Sequence, residues 1–414
     1  MAEGSAFAVV LLGSDDNVYG VARSFHERYG VVSQVYAREQ FAPTRYSKIV
    51  DVHLVPDLYQ DEVFTATMAA IACPVPTILL PCGDAYASLV ATHRDQLREQ
   101  FLCPSIDAAL LAQLADKERF YALCEAHGIA FPATKIITKA MAASGVAVSS
   151  PYDFPVMLKP ADSLTWHTLS FEGLKKAYLI HSQVELNATI QKAYANGYVG
   201  NLILQDFIPG DDSQTRVLNA YVDGEHRVKM MCLGHPLLED PTPNVIGSYV
   251  AILPAHDDAL YAQFAAFLEA IGYEGFANID LKYDVRDRQF KILDLNLRPG
   301  RSAYYVTLNG YNLAQWPVAE FITRDLAGQA PVFANPEAAA RKVWLGAPKK
   351  VLATYATDNP AKGEALRLIA AGQVGSTVFY DADMTARRWL LMTYMFHNYY
   401  GRFRQYFAEN KGGA

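Results

Sequence analysis

Short apolar runs alternate with amphipathic stretches along the first hundred residues. Phe7–Leu12 is apolar and closes on Gly13 and the polar turn Ser14-Asp15-Asp16-Asn17. A helical spacing follows from about Val18 to Tyr29, Gly30 stops it, and Val31–Tyr36 is apolar again. Strand, turn, helix, strand is the βαβ unit of a parallel sheet, so the opening predicts an α/β layer. Val50–Val55 and Thr77–Leu80 are further strands, and after Pro81-Cys82-Gly83-Asp84 a helix is predicted from Ala85 to about Phe101. Gly13 and Gly20 do not complete a G-x-G-x-x-G fingerprint, which argues against a dinucleotide fold here.

Beyond Ile106 the period changes. Asp116 is placed to cap a helix over Lys117 to about His127, ended by Gly128. Strands are then predicted at Phe131–Ile137, Phe154–Lys159 and Lys175–Ile180. The capping box Ser182-Gln183-Val184-Glu185 opens a helix to about Asn196. Asn201–Ile208, Arg216–Val222, His226–Leu233 and Tyr249–Leu253 follow as strands. A helix over about Ala259–Ile271 precedes the last two, Phe276–Tyr283 and Gln289–Arg298. Antiparallel strands with interspersed helices make an α+β region. Gly/Pro punctuation from Ala327 to Glu337 marks a junction before a C-terminal helix from about Met384. Three units are expected: 1–115, a parallel-sheet α/β domain; 116–330, an α+β domain with antiparallel sheets; and 331–414, a strand-and-helix extension.

Composition narrows the class. The chain has 414 residues, 51% hydrophobic and 19% charged, enough apolar material for several cores. Lys+Arg 36 against Asp+Glu 43 gives −7, so a diffuse basic footprint for duplex nucleic acid is excluded. No apolar run approaches the ~20 residues of a membrane helix, and no Lys or Arg precedes the first one as in a signal peptide. The five cysteines are scattered without a C-x-x-C pair, which excludes a disulfide scaffold or zinc ribbon and suits a reducing cytoplasm. The aromatic segment Phe396-His397-Asn398-Tyr399-Tyr400, with Arg402 and Arg404, is most simply a helix with a core stripe.

The chemistry concentrates in the last two strands. Alternation puts Asn278, Asp280 and Lys282 on one face, and Asp294, Asn296 and Arg298 on one face of the next strand. With an odd-length loop, Asp280 and Asp294 emerge on the same side of a hairpin. Opposed like charges are destabilising unless a cation sits between them. Hard oxygen ligands suit Mg²⁺ that also bridges phosphates. One such strand alone reads better as an exposed polar face; two neighbours offering Asp, Lys, Asp, Asn and Arg point to a metal–phosphate site. Lys159 closes the apolar strand Val156-Met-Leu-Lys159-Pro160, and Lys117 opens a helix; either alone reads as a surface lysine. Leu204-Gln205-Asp206-Phe207-Ile208-Pro209-Gly210-Asp211-Asp212 is a strand running into an acidic turn.

Taken in order, these segments resemble the ATP-grasp superfamily, over about Asp116 to Asp325. The resemblance implies that Lys117 and Lys159 bind ATP phosphates. Gln205, Asp206, Phe207 and Ile208 would hold adenine, and Asp211 or Asp212 the ribose. Asp280, Asp294 and Asn296 would bind Mg²⁺, with Arg298 on the transferred phosphate. Asp294 replaces the usual Glu, and Ala161–Thr168 lacks the usual glycine-rich lid. A narrower likeness, to carboxylate–amine ligases of the D-aspartate ligase type, lies in Leu12-Gly13-Ser14 with Asn17-Val-Tyr19-Gly20-Val-Ala-Arg23-Ser24-Phe25-His26. It continues in Lys159-Pro-Ala-Asp-Ser163, Phe171-Glu-Gly173 with Lys175-Lys176, and Arg298-Pro-Gly-Arg301-Ser302.

The activity so implied is amide formation through an acyl phosphate, with D-aspartate or a similar amino acid as the acid and a lysine side chain of a peptidoglycan precursor as the amine. Lys159 and Arg298 would clamp the phosphoryl group, and Arg301, Ser302 and Arg216 are candidates for the substrate carboxylate. Neither Asp162 nor His167 stands out as a general base. A ligase for another amino acid, or a non-catalytic nucleotide-binding module, would carry the same motifs.

Overall fold

The computed structural model describes residues 7–143, 147–162, 165–166, 169–245, 247–337 and 341–410. Ser163 and His167 lie outside the described residues. The N-terminal layer runs β1 (Ala8–Leu12), α1 (Asp16–Tyr29), β2 (Ser33–Ala37), β3 (Val50–Leu54), α2 (Asp61–Ala70), β4 (Thr77–Pro81), α3 (Asp84–Thr92), α4 (Arg94–Leu97) and α5 (Ala108–Leu114). Its four strands are parallel, in the order β3-β2-β1-β4. Val9 to Leu12 are buried on both faces of the sheet, as a central parallel strand requires. The helix predicted over Ala85–Phe101 is broken at His93, whose φ of −103° and ψ of 16° end α3 and start α4.

A second, antiparallel sheet is built from α6 (Lys117–Ala126), β5 (Thr134–Ile137), α7 (Lys139–Ala143), β6 (Val156–Pro160), β7 (Tyr178–Ile180), α8 (Gln183–Ala195) and β8 (Leu202–Asp206). Its order is β5-β8-β6-β7. Leu158, Ile180 and Leu204 pack on Leu186, Ile190 and Trp166 behind it. β7 is shorter than predicted because Lys175 follows the turn at Gly173 and its backbone N–H is taken by the Tyr178 hydroxyl, 3.1 Å away.

The large sheet takes the rest: β9 (Thr215–Val222), β10 (Val228–Glu239), β11 (Tyr249–Ala255), α9 (Asp258–Ala270), β12 (Gly275–Asp284), β13 (Gln289–Asn296), α10 (Tyr304–Leu308) and α11 (Gln315–Phe321). Then come β14 (Val332–Phe333), β15 (Val343–Leu345), α12 (Lys349–Tyr355), α13 (Pro360–Ala370), β16 (Val374–Gly375) and α14 (Ala386–Asn410). The strand order is β13-β12-β9-β10-β11-β15-β16, with β14 on β10. Strands from beyond residue 331 therefore extend the same sheet. Leu218, Met231, Ile279 and Leu281 pack under Phe264 and Phe267 on one face. Val217, Tyr221, Cys232 and Ile252 meet Tyr19, Phe25 and Trp316 on the other.

Strand β10 runs six residues past its predicted end at Leu233, through Gly234 and Pro236. A Cβ on Gly234 would lie 2.7 Å from Ile252, 2.9 Å from Val217 and 3.0 Å from the Tyr305 ring. The glycine permits close packing rather than a turn, and the Tyr305 hydroxyl donates to Cys232 O at 2.7 Å beside it.

Candidate active site

The small sheet faces the large one across a cleft of about 430 Å³. Lys117, Lys159, Gln205, Asp206, Phe207 and Ile208 line it, as do Asp211, Asp212, Asp280 and Asp294. Sequence-distant candidates thus converge.

Asp280 and Asp294 are direct cross-strand partners, by a route the loop does not provide. Asp284 pairs with Gln289 and Leu281 with Ile292, which leaves a loop of four residues, an even number. The register then shifts at a β-bulge between Asp280 and Leu281, where Leu293 is the extra residue, and Asp280 meets Asp294. The bulge, not an odd loop, opposes the two carboxylates. Leu293 itself lines the cleft.

The charges around them are unequal. Asp294 is ion-paired with Lys117, which Asp116 presents by capping α6 through the Arg119 N–H at 2.9 Å. Burial pushes the Asp294 carboxyl up, but Lys117, Lys176 and Lys159 outweigh it and hold it well below the usual carboxylate range. Asp280 accepts the Tyr249 hydroxyl at 3.0 Å and the Asn296 amide at 3.2 Å. Burial first, and then Asp294, push its carboxyl up to about 7. Burial pulls Lys159 down to about 8, against the attraction of Asp294, and its ammonium donates to the Tyr121 hydroxyl at 3.0 Å. Among the described residues no three His, Cys, Asp or Glu gather as a self-sufficient metal cage. Two carboxylates and the amide of Asn296 leave positions for phosphate oxygens and water, a set that fits Mg²⁺.

At the other end of the cleft, Gln205 donates to Thr134 Oγ1 at 2.8 Å and Asp206 is held by Arg286 at 2.6 Å. Lys282 reaches over the Phe207 ring and donates to Gly210 O at 3.0 Å. Asp211 accepts the Ser213 N–H at 2.8 Å, and Asp212 the Glu239 N–H at 2.9 Å. Asp206 is thus ion-paired with Arg286 and, with Phe207 and Ile208, lines the cleft.

Arg298, Arg301 and Ser302 follow β13 and meet the N-terminal layer. Arg298 ion-pairs with Asp84, at 2.8 Å, and donates to Pro299 O at 3.1 Å. Asn17 donates to Pro299 O at 2.6 Å and Cys82 O at 2.8 Å, tying α1 to this loop. A Cβ on Gly300 would lie 2.8 Å from the Asn278 amide, which explains the glycine in Arg298-Pro-Gly-Arg301. Ser302 is buried. Arg301 is half-exposed, 3.7 Å from Asp15 and 3.4 Å from Ser248 Oγ. Asp16 lies in the same cluster, and burial and Asp15 push its carboxyl up to about 6, against Arg301 and Arg402. Arg402 of α14 completes the group, 3.3 Å from Asp240.

Arg216 stands apart. It is the cross-strand partner of Leu281, so it points away from Asp280, and its guanidinium lies 5.5 Å over the Phe290 ring. Tyr249, Lys176, Asp84 and Asp16 are the participants that sequence reasoning did not assign. Tyr249 and Asp84 gain meaning only from pairing across long sequence distances, whereas Lys176 had a visible signal in the Lys175-Lys176 doublet.

No family model matches the chain. It is 46% identical to a D-aspartate ligase of Enterococcus faecium over 421 residues, 99% of each chain. Among solved structures it resembles phosphoribosylamine–glycine ligase of Thermotoga maritima, with TM-score 0.56, 17% identity, and 81% and 79% of the two chains covered. N5-carboxyaminoimidazole synthetase of Staphylococcus aureus, solved with ADP, gives TM-score 0.55 and 13% identity over 79% of each chain. An L-amino acid ligase of Bacillus licheniformis gives 0.54 and 13%, covering 78% and 77%. With the opposed carboxylates, the lysines and the two-sheet cleft in place, the chain belongs to the D-aspartate ligase family, ATP-dependent carbon–nitrogen ligases, and has the ATP-grasp fold.

Proposed function

We propose that this chain joins the β-carboxylate of D-aspartate to the lysine side-chain amine of a peptidoglycan precursor peptide. The observation that carries the reading is the charge layout around Asp280 and Asp294. Three lysines lie on the cleft side, and Arg298 and Arg301 lie beyond it beside Asp15 and Asp16. A triphosphate fits the first group, and a small zwitterion with a second carboxylate fits the last. The name of the Enterococcus faecium relative supports D-aspartate as the acid.

A carboxylate oxygen of the acid attacks the γ-phosphorus, the bond to the ADP oxygen breaks, and an acyl phosphate forms. The amine then attacks the acyl carbon, phosphate leaves with the C–O bond electrons, and the nitrogen sheds its proton as the amide forms. Lys117 and Lys159 hold the phosphates, and Lys159 follows the phosphoryl charge as it moves. Mg²⁺, held by Asp280, Asp294 and Asn296, would supply positive charge against the phosphate oxygens. Arg298, fixed by Asp84, stabilises the oxyanion of the tetrahedral intermediate. Arg301 and Ser302 grip the α-carboxylate, and Asp15 and Asp16 face the α-ammonium. The hinge from Gln205 to Ile208 takes the adenine.

The test is ADP release from ATP with amino acids of both chiralities, with and without a lysine-containing stem peptide. ADP release with D-aspartate that requires the peptide is expected. Turnover with another amino acid alone would keep the ligase and overturn the substrate.

A further inference from the structure

The C-terminal extension reaches the nucleotide cleft. Tyr355, at the end of α12, Thr357, two residues later, and Phe407, near the end of α14, all line it. The Tyr355 ring lies 4.9 Å from that of Phe407 and 5.0 Å from that of Phe403, and Phe403 is fully buried. This aromatic cluster fixes the end of α12 against α14, and so fixes where Thr357 stands. Thr357 and Asp211 line the same cleft, and against the upward push of burial Thr357 helps hold the Asp211 carboxyl below its ordinary value. Asp211 also caps the turn at Ser213, and Lys282 secures the neighbouring Gly210 carbonyl at 3.0 Å.

The contact is chemically specific. A carboxylate offers only acceptors, whereas a threonine hydroxyl donates and accepts. A pair of vicinal hydroxyls needs both, because each hydroxyl donates one hydrogen bond and accepts others. Asp211 and Thr357 present that combination in the lining of one cleft, which the paired Tyr355 and Phe407 rings also line.

We propose that the C-terminal extension forms the sugar wall of the nucleotide site, with Thr357 sharing the ribose hydroxyls with Asp211 and the Phe407 ring covering the sugar's apolar edge. This rests on the nucleotide reading of the cleft and extends it to a part of the chain outside the ATP-grasp motifs.

The experiment measures binding of ATP, 2′-deoxy-ATP and 3′-deoxy-ATP to the full-length protein and to its Thr357→Val, Thr357→Ser and Phe407→Ala variants. The wild-type protein is expected to favour ATP over at least one deoxy analogue. Thr357→Val should weaken ATP about 5-fold, the loss of one hydrogen bond, and leave that analogue unchanged, so the preference disappears. Thr357→Ser should restore it. Phe407→Ala should weaken all three nucleotides alike, with the KM for the amino acid unmoved. Full ribose discrimination in Thr357→Val, with unaltered ATP affinity in Phe407→Ala, overturns the inference while leaving the nucleotide site standing. A wild-type protein that binds no ATP overturns the nucleotide reading itself.

Discussion

The two ends of the β12–β13 hairpin treat buried carboxylates in opposite ways. At the turn, Asp284 is wholly buried and fully matched: Arg286 and Lys291 each reach it at 2.7 Å, and the Arg286 N–H donates at 3.0 Å. Hydrogen bonds from Arg286 outweigh burial and hold its carboxyl far below the usual range. About 13 Å along the same strand, four residues at roughly 3.3 Å each, Asp280 faces Asp294 and, among the described residues, forms no ion pair with Lys or Arg. It is pushed up to about 7. One end is completed by the chain's own cations; at the other, Lys117 pairs with Asp294 while Asp280 faces it with a hydroxyl and an amide for partners. The same residue type in the same hairpin is thus held ionised at the turn and, at Asp280, pushed toward the protonated form in the cleft.

Removing a carboxylate at each end should separate these roles. Asp294→Ala is expected to lower turnover by on the order of 10³-fold, the scale of losing transition-state charge stabilisation. Its melting temperature should stay within a few degrees of wild type, because repulsion with Asp280 is relieved as the Lys117 pair is lost. Steady-state ADP release and circular dichroism read the two quantities. Asp284→Ala should do the reverse, costing about 2 kcal/mol in denaturant unfolding by removing a buried acceptor of charged donors, although Arg286 keeps Asp206 and Lys291 keeps Asp287, with kcat retained well below the melting range. Comparable losses of turnover in both would erase the distinction.

The pH response refines it. A carboxyl near 7 is half protonated at neutral pH, and a metal takes only the ionised form. Binding of Mg·ATP should therefore release about half a proton from Asp280 at pH 7, whereas at pH 9 Asp280 releases almost none and Lys159, lowered to about 8, takes a proton up to meet the phosphates. Calorimetry in two buffers of different ionisation enthalpy measures this. kcat/KM should rise with pH through about 7. Asp280→Asn should abolish the release, whereas Asp284→Asn should leave it intact.

Much of this was legible in the sequence because it is local. Alternation put Asp280 with Asn278 and Asp294 with Asn296, and the parallel layer followed from its βαβ pattern. The order of lysine, hinge and acid segments resembled the ATP-grasp superfamily. What was hidden is long-range or depends on a single register step. The bulge at Leu293 changes the pairing by one residue, and nothing in Lys291-Ile-Leu-Asp294 announces it. Arg216 shares its strand with residues that do face the cleft side, and only the pairing with Leu281 reveals that it points away. The strand predicted to end at Leu233 runs on through Gly234 and Pro236, and at Gly234 the neighbouring strands and Tyr305 leave no room for a side chain.

A raised carboxyl does not by itself mark a catalytic group, and Glu320 offers the smallest and sharpest test. Burial pushes it up to about 7, with Glu274 and Asp223 adding to the rise against donors from Tyr221 and the Gly224 N–H at 2.7 Å. It does not line the nucleotide cleft. Its ordinary value is 4.5, so between there and about 7 the folded chain keeps a proton that the unfolded chain releases. Stability from this group is therefore full below the ordinary value and is lost as pH rises through about 7. Glu320→Gln removes that slope: the fall in unfolding midpoint between pH 5 and pH 8 should shrink, while kcat and the proton release on Mg·ATP binding stay at wild-type values. A variant that altered the proton release instead would tie Glu320 to the Asp280 end of the hairpin, and buried acids in this sheet would then have to be treated as one coupled set.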